Sequence, residues 1–403
     1  MQISFRNIEN TVLFTFCIGV GLRFSGSTLP FIQPISIVAF AVFLYIIVMG
    51  YLSNKTMSSI NLIPSNIAML FVFYLLITLM YTTSLNYGLS KIIILFFWIF
   101  SFSIMSSLIF KYFNNFLFFN SISLLVVLIL FYYSFGSPLE ILKHVYIFFR
   151  LKDDETNPNS YSRFLGFGVI AVLLLRPYLK NKNNFLFFAP ILLVAVSYMF
   201  LSGSKGPLFA LISSVIFYSF LQVKDFTKGG IIAAVVSLGI VFFLTTLNIS
   251  QGINDFILQR FINYEGSLEG REERYEVVFK SFNKDAVDNL VGLLFGNGSG
   301  NFSYVFDHKD IRSYPHNIFL EIVYEYGIIG LILFIIMVIF PFIKGLKLGK
   351  PRHNYITKSL LVFWLYTLIT SLVSSDISGN FLLFGISILL NYHLKSQIFY
   401  SKT

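Results

Sequence analysis

Apolar runs near the length of a membrane span follow one another along most of this chain, divided by short polar turns. Twelve can be read, at roughly 10–24, 31–51, 62–81, 90–110, 115–134, 161–179, 184–201, 206–222, 229–247, 317–343, 357–373 and 378–396. A helix of about 20 residues crosses a hydrocarbon layer of about 30 Å, so the pattern predicts an all-α polytopic membrane protein. We treat residues 1–403 as one membrane domain of about 12 transmembrane helices. Two connections are too long for the pattern, residues 135–160 and residues 248–316; connections of that length in a compact fold are usually functional or disordered. The second has a helical signal. In "GREERYEVVFKSFN", Arg271, Arg274 and Val278 fall at i, i+3 and i+7, on one face of a helix. "LLFGNGSGNF" then reads as a glycine-rich turn.

Composition agrees: 56% of residues are hydrophobic and only 12% charged, where a soluble domain carries about 25% charged. The first apolar run lacks a small-residue cleavage site and reads as a retained span. The single cysteine, Cys17, lies inside that run and supports neither a disulfide framework nor a metal cluster. The net charge of +10 raises nucleic-acid binding as a possibility, and its distribution argues against it. With both termini cytoplasmic, the inner loops and ends hold 15 of the 29 basic residues and only Glu9 and Asp225 of the 19 acids. Short loops follow that rule in membrane proteins. The basic excess is therefore a topology signal, and it puts residues 135–160 and 248–316 on the periplasmic side.

Several candidate chemistries sit in or near those outer segments. Gly296–Gly300 lacks the Gly-Lys-Ser/Thr of a phosphate loop and reads as a turn between two loop helices. A hydrolytic triad of Ser299, His316 and Asp307 is not enforced by any spacing. The cationic residues Lys205, Arg260, Arg271 and Arg274 carry more weight. Their bland reading is a solvated surface balanced by Glu265, Glu269, Glu272, Glu273 and Glu276. Lys205, however, sits in "FLSGSKGPLF", a tight turn between two spans, where a charge close to the bilayer is costly without purpose. Such a cluster suits a lipid diphosphate, because arginine–phosphate pairing is strong and directional. His316 follows Pro315 at the start of a span, either as a helix-end residue or as a base. Glu321 and Glu325, four residues apart, share a helix face turned about 140° from His316, so they predict a buried polar network and no dyad with the histidine. The spans otherwise show few ionisable residues and no inverted repeat, unlike proton-coupled transporters.

In order and spacing these pieces resemble the bacterial O-antigen polymerases and O-antigen ligases, the Wzy and WaaL types. "NPNSYSRFLGFGVIAVLLL" is similar to the family's Asn-Pro-Asn start of a span, and "SGSKGPLFALI" to its Ser-Arg-Gly turn, with Lys205 where arginine is usual. "EGREERYEVVFKSF" with "LVGLLFGNGSGNF" resembles its arginine-bearing loop helix and Phe-Gly-x-Gly turn. "PHNIFLEIVYEYGIIGLILF" resembles its His-Asn span with a Glu-x-Gly-x-x-Gly continuation. The resemblance covers most of the chain beyond residue 155; the first 150 residues carry only generic hydrophobicity.

The resemblance implies an inverting, metal-independent glycosyl transfer without cofactor, outside the bacterial inner membrane, from a glycan on undecaprenyl diphosphate to a sugar hydroxyl. It gives His316 the role of base, Asn317 and the two glutamates that of support, and Lys205, Arg260, Arg271 and Arg274 that of diphosphate ligands. Expected partners are the lipid-linked oligosaccharide, membrane lipid, a chain-length regulator and a flippase, and no nucleic acid. "GSKGPL" and "HNIFLEIVYEYG" look more like a polymerase than a ligase. A lipid-linked oligosaccharide flippase and a non-catalytic scaffold are the readings from other classes.

Overall fold

A backbone in hydrocarbon has no water to bond to, so a chain this apolar must satisfy its peptide groups within its own segments, and helix is the local solution. The computed structural model describes residues 5–24, 34–53, 66–135, 158–175, 188–202, 204–222, 265–288, 290–348 and 354–400. In them run α1 (Phe5–Leu22), α2 (Pro34–Ser53), α3 (Asn66–Thr78), α4 (Leu85–Lys111), α5 (Phe113–Phe135), α6 (Pro158–Leu175), α7 (Ala189–Leu201) and α8 (Lys205–Gln222). There follow α9 (Glu265–Asp288), α10 (Leu290–Phe295), α11 (Asn301–Asp307), α12 (Ile318–Phe334), α13 (Phe340–Leu348), α14 (Tyr355–Ser371) and α15 (Phe381–Tyr400). No strand occurs among the described residues.

Among those residues three helical stretches are long and apolar enough to cross a membrane: Leu85–Lys111, Phe113–Tyr133 and Ile318–Lys347. Five further apolar stretches, from Pro34–Val48 to Lys205–Leu221, are shorter. Every expected span within the described residues falls on a helix, but the full number of spans is not established by these lengths. The span expected at 229–247 lies outside the described residues, as does nearly all of 135–160.

The chain divides into two compact units, residues 1–60 with 107–263 and residues 61–106 with 264–403. In the first, α1 lies against α2 and α5, and α6 lies against α5, α7 and α8. Glycines allow the close approach: a Cβ at Gly21 would strike Ser123 and Phe164, and one at Gly168 would strike Leu124. Polar groups in this unit pair with each other. Glu9 takes Lys111 Nζ at 2.7 Å and Tyr112 Oη at 2.6 Å, and the hydroxyls of Ser162 and Ser202 lie 2.6 Å apart. Ser204 Oγ bonds Asn159 Oδ1, so the Asn-Pro-Asn start of α6 meets the turn that leads into Lys205.

The second unit is organised by α12. Asn317 caps it, its side-chain oxygen accepting from Phe319 N at 3.0 Å and Leu320 N at 3.3 Å. Ten residues in, Gly327 adopts φ 62°, ψ −164°, and the helix breaks. The freed carbonyls are all taken up. Asn297 N donates to Tyr324 O at 3.0 Å and Gly298 N to Glu325 O at 2.9 Å, while Tyr74 Oη donates to Tyr326 O at 2.7 Å. The two backbone donors come from the turn between α10 and α11, in which Gly296, Gly298 and Gly300 all have positive φ. A Cβ at Gly296 would run into the backbone of Glu325, and one at Gly327 into the Leu294 carbonyl. The expected glycine-rich turn between two loop helices is there, wedged into a broken helix.

Further along, a π-helical turn at Ile335–Ile339 joins α12 to α13. The Val338 carbonyl accepts from Trp364 Nε1 of α14 at 3.0 Å, and Trp364 stacks on Phe342 with ring centres 4.0 Å apart. Trp98 of α4 stacks likewise on Phe381 of α15, at 4.0 Å.

Replacing Gly327 by alanine imposes a backbone conformation that is essentially confined to glycine and a clash with Leu294. The expected loss of stability is at least about 2 kcal/mol. Gly50, with nothing within 4 Å of an added Cβ, is the control: alanine there should be neutral or stabilising by about 0.5–1 kcal/mol. Thermal unfolding in detergent reads both, and equal shifts would remove the break as a determinant of stability.

Candidate functional site

The segment that leads from α11 into α12 is held by two aspartates. Asp310 accepts from the backbone N–H groups of Asn86 at 2.9 Å and Tyr87 at 3.0 Å, and from Ser84 Oγ. It thus caps the first turn of α4 from a distant part of the chain, where acidic groups are favoured. Asp376, in the connection between α14 and α15, is 1% exposed. It accepts from Tyr87 Oη at 2.8 Å, Gly379 N at 2.8 Å and Ser378 Oγ at 3.1 Å, and both its oxygens face Arg312 at 3.2 Å. Burial alone would raise the Asp376 carboxyl; Arg312, the largest opposing influence, holds it well below the usual carboxylate range.

Arg274, on the inner face of α9, donates to Ser313 Oγ at 2.8 Å and to Tyr314 O at 2.9 Å. Its guanidinium lies over the Phe306 ring at 4.3 Å. Val278, one turn further, is buried with Phe302 and Tyr324. The face read from the i, i+3, i+7 spacing is therefore the packed one. Arg271 makes a single long contact, Nη2 to Val373 O at 3.4 Å, so most of its hydrogen-bonding capacity is uncommitted within this unit.

These groups frame His316. The residue stands directly before the Asn317 cap with φ 61°, a left-handed conformation that non-glycine residues hold at a cost of about 1–3 kcal/mol. Its ring meets Tyr314 edge-on, 4.5 Å between centres, and Arg312 lies over the same Tyr314 ring at 5.6 Å. Burial comes first in lowering the imidazole from its ordinary 6.5 to about 4, followed by the charges of Arg274, Arg271 and Arg312; Asp376 opposes them. A value near that of a free imidazole, the simplest expectation for a histidine at a helix end, does not hold here. Three guanidinium groups and partial desolvation keep His316 neutral over the physiological range, which leaves it able to accept a proton.

Glu321 and Glu325 are engaged with a different partner. Both pair with Lys91 of α4: Nζ lies 2.7 Å from Glu321 Oε1 and 2.7 Å from Glu325 Oε2, with all three side chains 0–1% exposed. The expected polar network exists, and its centre is a lysine that the sequence did not single out.

The structure brings together Arg271, Arg274, His316 and Asn317, and groups the two glutamates around Lys91. Lys205 belongs to the first unit, where it heads α8 after a two-residue connection from Ser202. Arg260 lies outside the described residues. Sequence reasoning missed Arg312, Asp376 and Lys91. Arg312, four residues before His316, was within reach of it as a cation flanking the candidate base. The glutamate partners of Lys91 lie 230 and 234 residues away, and Asp376 reaches Arg312 and Tyr87 over 64 and 289 residues, so no sequence neighbour marks either ion pair.

The class that follows is an integral membrane protein of α-helices, with an arginine–histidine group where the segment 265–317 meets a long apolar helix. Residues 190–335 match the family model described as O-antigen ligase, which shows the resemblance seen in the sequence over that stretch. It takes in Lys205, Arg271, Arg274 and His316 together. That family covers polymerases and ligases of O-antigen, glycosyltransferase-like membrane enzymes that act on lipid-linked polysaccharide. No curated protein matches the chain.

Two outcomes test this geometry. In protein with labelled histidine, the NMR titration of His316 should have its midpoint near 4, and Arg274→Ala should move it up towards 6.5. A midpoint already near 6.5 in the unaltered protein would show that the arginines do not act on the ring. Lys91→Met should destabilise the protein by about 3–5 kcal/mol, since it leaves buried carboxylates without a counter-ion. Adding Glu321→Gln and Glu325→Gln should recover part of that loss in thermal unfolding; no recovery would mean that packing, and not charge, is what Lys91 supplies.

Proposed function

We propose that the protein is a glycosyltransferase of the bacterial inner membrane that polymerises O-antigen, moving a glycan from undecaprenyl diphosphate onto a sugar hydroxyl of a lipid-linked repeat unit. The observation that carries the proposal is His316 packed on Tyr314, the residue that Arg274 and Arg312 also engage, with burial and nearby guanidinium charge lowering the imidazole, inside the stretch matched by the family model. In the reaction the acceptor oxygen attacks the anomeric carbon of the donor on the face opposite the diphosphate. The bond from that carbon to the phosphate oxygen breaks, the diphosphate leaves with the electron pair, and His316 takes the proton of the hydroxyl. Diphosphate is already a capable leaving group, so stabilising its charge contributes more than protonating it.

Arg271 is the first choice for that contact because its guanidinium is the least committed of the three. Arg274 holds the segment that carries His316 and offers its charge from there. Lys205 and Arg260 are proposed as further diphosphate ligands, Lys205 as a point charge without the fork of an arginine. Asn317 fixes the backbone next to the base, and Glu321 and Glu325 anchor α12 beneath it. The reading places both termini in the cytoplasm, residues 135–160 and 248–316 in the periplasm, and a flippase and a chain-length regulator among the partners. "GSKGPL" and "HNIFLEIVYEYG" favour the polymerase. The ligase, which transfers glycan to lipid A-core, is the second reading, supported by the description of the matched family.

Arg271→Ala should lower glycan transfer by about 10- to 100-fold, the equivalent of one charge-assisted contact of roughly 1.5–3 kcal/mol, with Arg271→Lys restoring part of it. Transfer at the wild-type rate would make the loop charges mere solvation. His316→Ala should keep donor binding and lose turnover. For unaltered enzyme, kcat/KM should hold constant as pH falls through 6 and decline only towards 4, because the free enzyme's base is still neutral above that. In cells the variant should leave lipopolysaccharide with at most one repeat unit. Bare core with polymer accumulating on undecaprenyl diphosphate would assign the ligase, and normal long chains would reduce His316 to a helix-end residue.

A further inference from the structure

The segment 265–316 is too polar overall to be a span, yet one part of it exposes a set of large apolar side chains. Phe279 and Phe282, at i and i+3 on α9, and Leu290, Val291 and Phe295 of α10 are all open to the surroundings, Leu290 and Val291 at 65% each. An apolar cluster of this kind outside the spans calls for a partner. Its position along α12 says which.

The helical stretch Ile318–Lys347 has 30 residues, more than the roughly 20 that a hydrocarbon layer of about 30 Å takes. Lys344 and Lys347 mark one end as polar. Counting about 20 residues back from Ile343 places the other hydrocarbon edge near Tyr324. The same count along α4, back from Phe110 beside Lys111, arrives near Lys91. Lys91 and Glu325 are bonded to each other at 2.7 Å, so two helices measured separately set the edge at one level. That is also where α10 docks: Asn297 N and Gly298 N bond the carbonyls of Tyr324 and Glu325, and Leu294 O abuts Gly327.

We infer that the face made by Phe279, Phe282, Leu290, Val291 and Phe295 rests in the boundary between headgroups and acyl chains of the bilayer, as an in-plane membrane contact at the His316 end of α12. The chemistry of the patch suits that layer. Aromatic and aliphatic side chains enter the acyl region, and the helix that carries the two phenylalanines keeps charged side chains, Glu276 and Lys280 paired at 2.7 Å, for the headgroups. The irregular backbone of residues 295–300 is tolerated at that depth because its peptide groups have partners: Tyr74 and Tyr81 donate to Phe295 O, Thr82 to Ser299 O, and the broken helix accepts from Asn297 N and Gly298 N.

The test uses the full chain in lipid vesicles, with the single cysteine removed as Cys17→Ser and a spin label placed through Val291→Cys or Leu290→Cys. Phe73→Cys, on the exposed face of α3, is the reference for the bilayer, and Lys309→Cys the reference for water. Labels at 290 and 291 should collide with oxygen several-fold more than with a water-soluble nickel chelate, as at 73. Collision mainly with nickel, as at 309, would overturn the proposal by placing the face in water. Exclusion of both probes would overturn it as well, by showing that protein, a second copy included, covers the patch.

Discussion

A helix that breaks where water is excluded has to pass its freed carbonyls to other donors, because each peptide group left unpaired there costs several kcal/mol. The break at Gly327 sets that demand, and the second unit is arranged around meeting it. Two N–H groups of the 296–300 turn and the Tyr74 hydroxyl fill the three carbonyls, so α3, the α10–α11 turn and α12 are fastened at one point. From there the rest follows by packing. α11 continues from the turn and sets Phe302 against Tyr324, Val278 of α9 closes on the same pair, and the register of α9 then delivers Arg274 to the residues just ahead of His316.

Charge is layered on that frame. Around Lys91 two carboxylates answer one ammonium, fully enclosed. Around His316 the balance is reversed, with three guanidinium groups and a buried carboxylate, Asp376, already engaged by six hydrogen bonds. The N-terminus of α12, which begins one residue beyond the Asn317 cap, adds its partial positive charge on the same side. Burial and the guanidinium charges together outweigh Asp376 and disfavour an imidazolium there, while an arriving anion is favoured by the same field. On the function proposed above, a bound diphosphate would draw the imidazole back towards its ordinary basicity.

The lengths of the apolar runs were enough to locate helices among the described residues, because run length and local pattern are properties of neighbouring residues. The same holds for α9, for the glycine turn, and for the offset that separates Glu321 and Glu325 from His316. The function of Gly327 was less accessible. As a glycine inside an apolar run it reads as a packing residue, and only its partners at 294–298 show it to be a break. Lys91 could not be recognised as a buried ion, since its position near the end of an apolar run is equally that of a surface anchor. Asp310 and Asp376 have no sequence signal of their own. Their roles depend on contacts with residues 84–87 and 312, which are fixed by the tertiary fold and leave no periodic trace.

The Lys91 pairing also has a direction in time. Its glutamate partners lie 230 and 234 residues further along the chain, and synthesis at about 5–20 residues per second takes roughly 10–50 s to cover that distance. Asp310, which closes the first turn of α4, arrives with a similar delay. For that interval α4 has an uncompensated ammonium near one end and uncapped amide groups beside it. The first half of the protein is therefore made with a positive charge whose buried counter-ions belong to the last third of the chain.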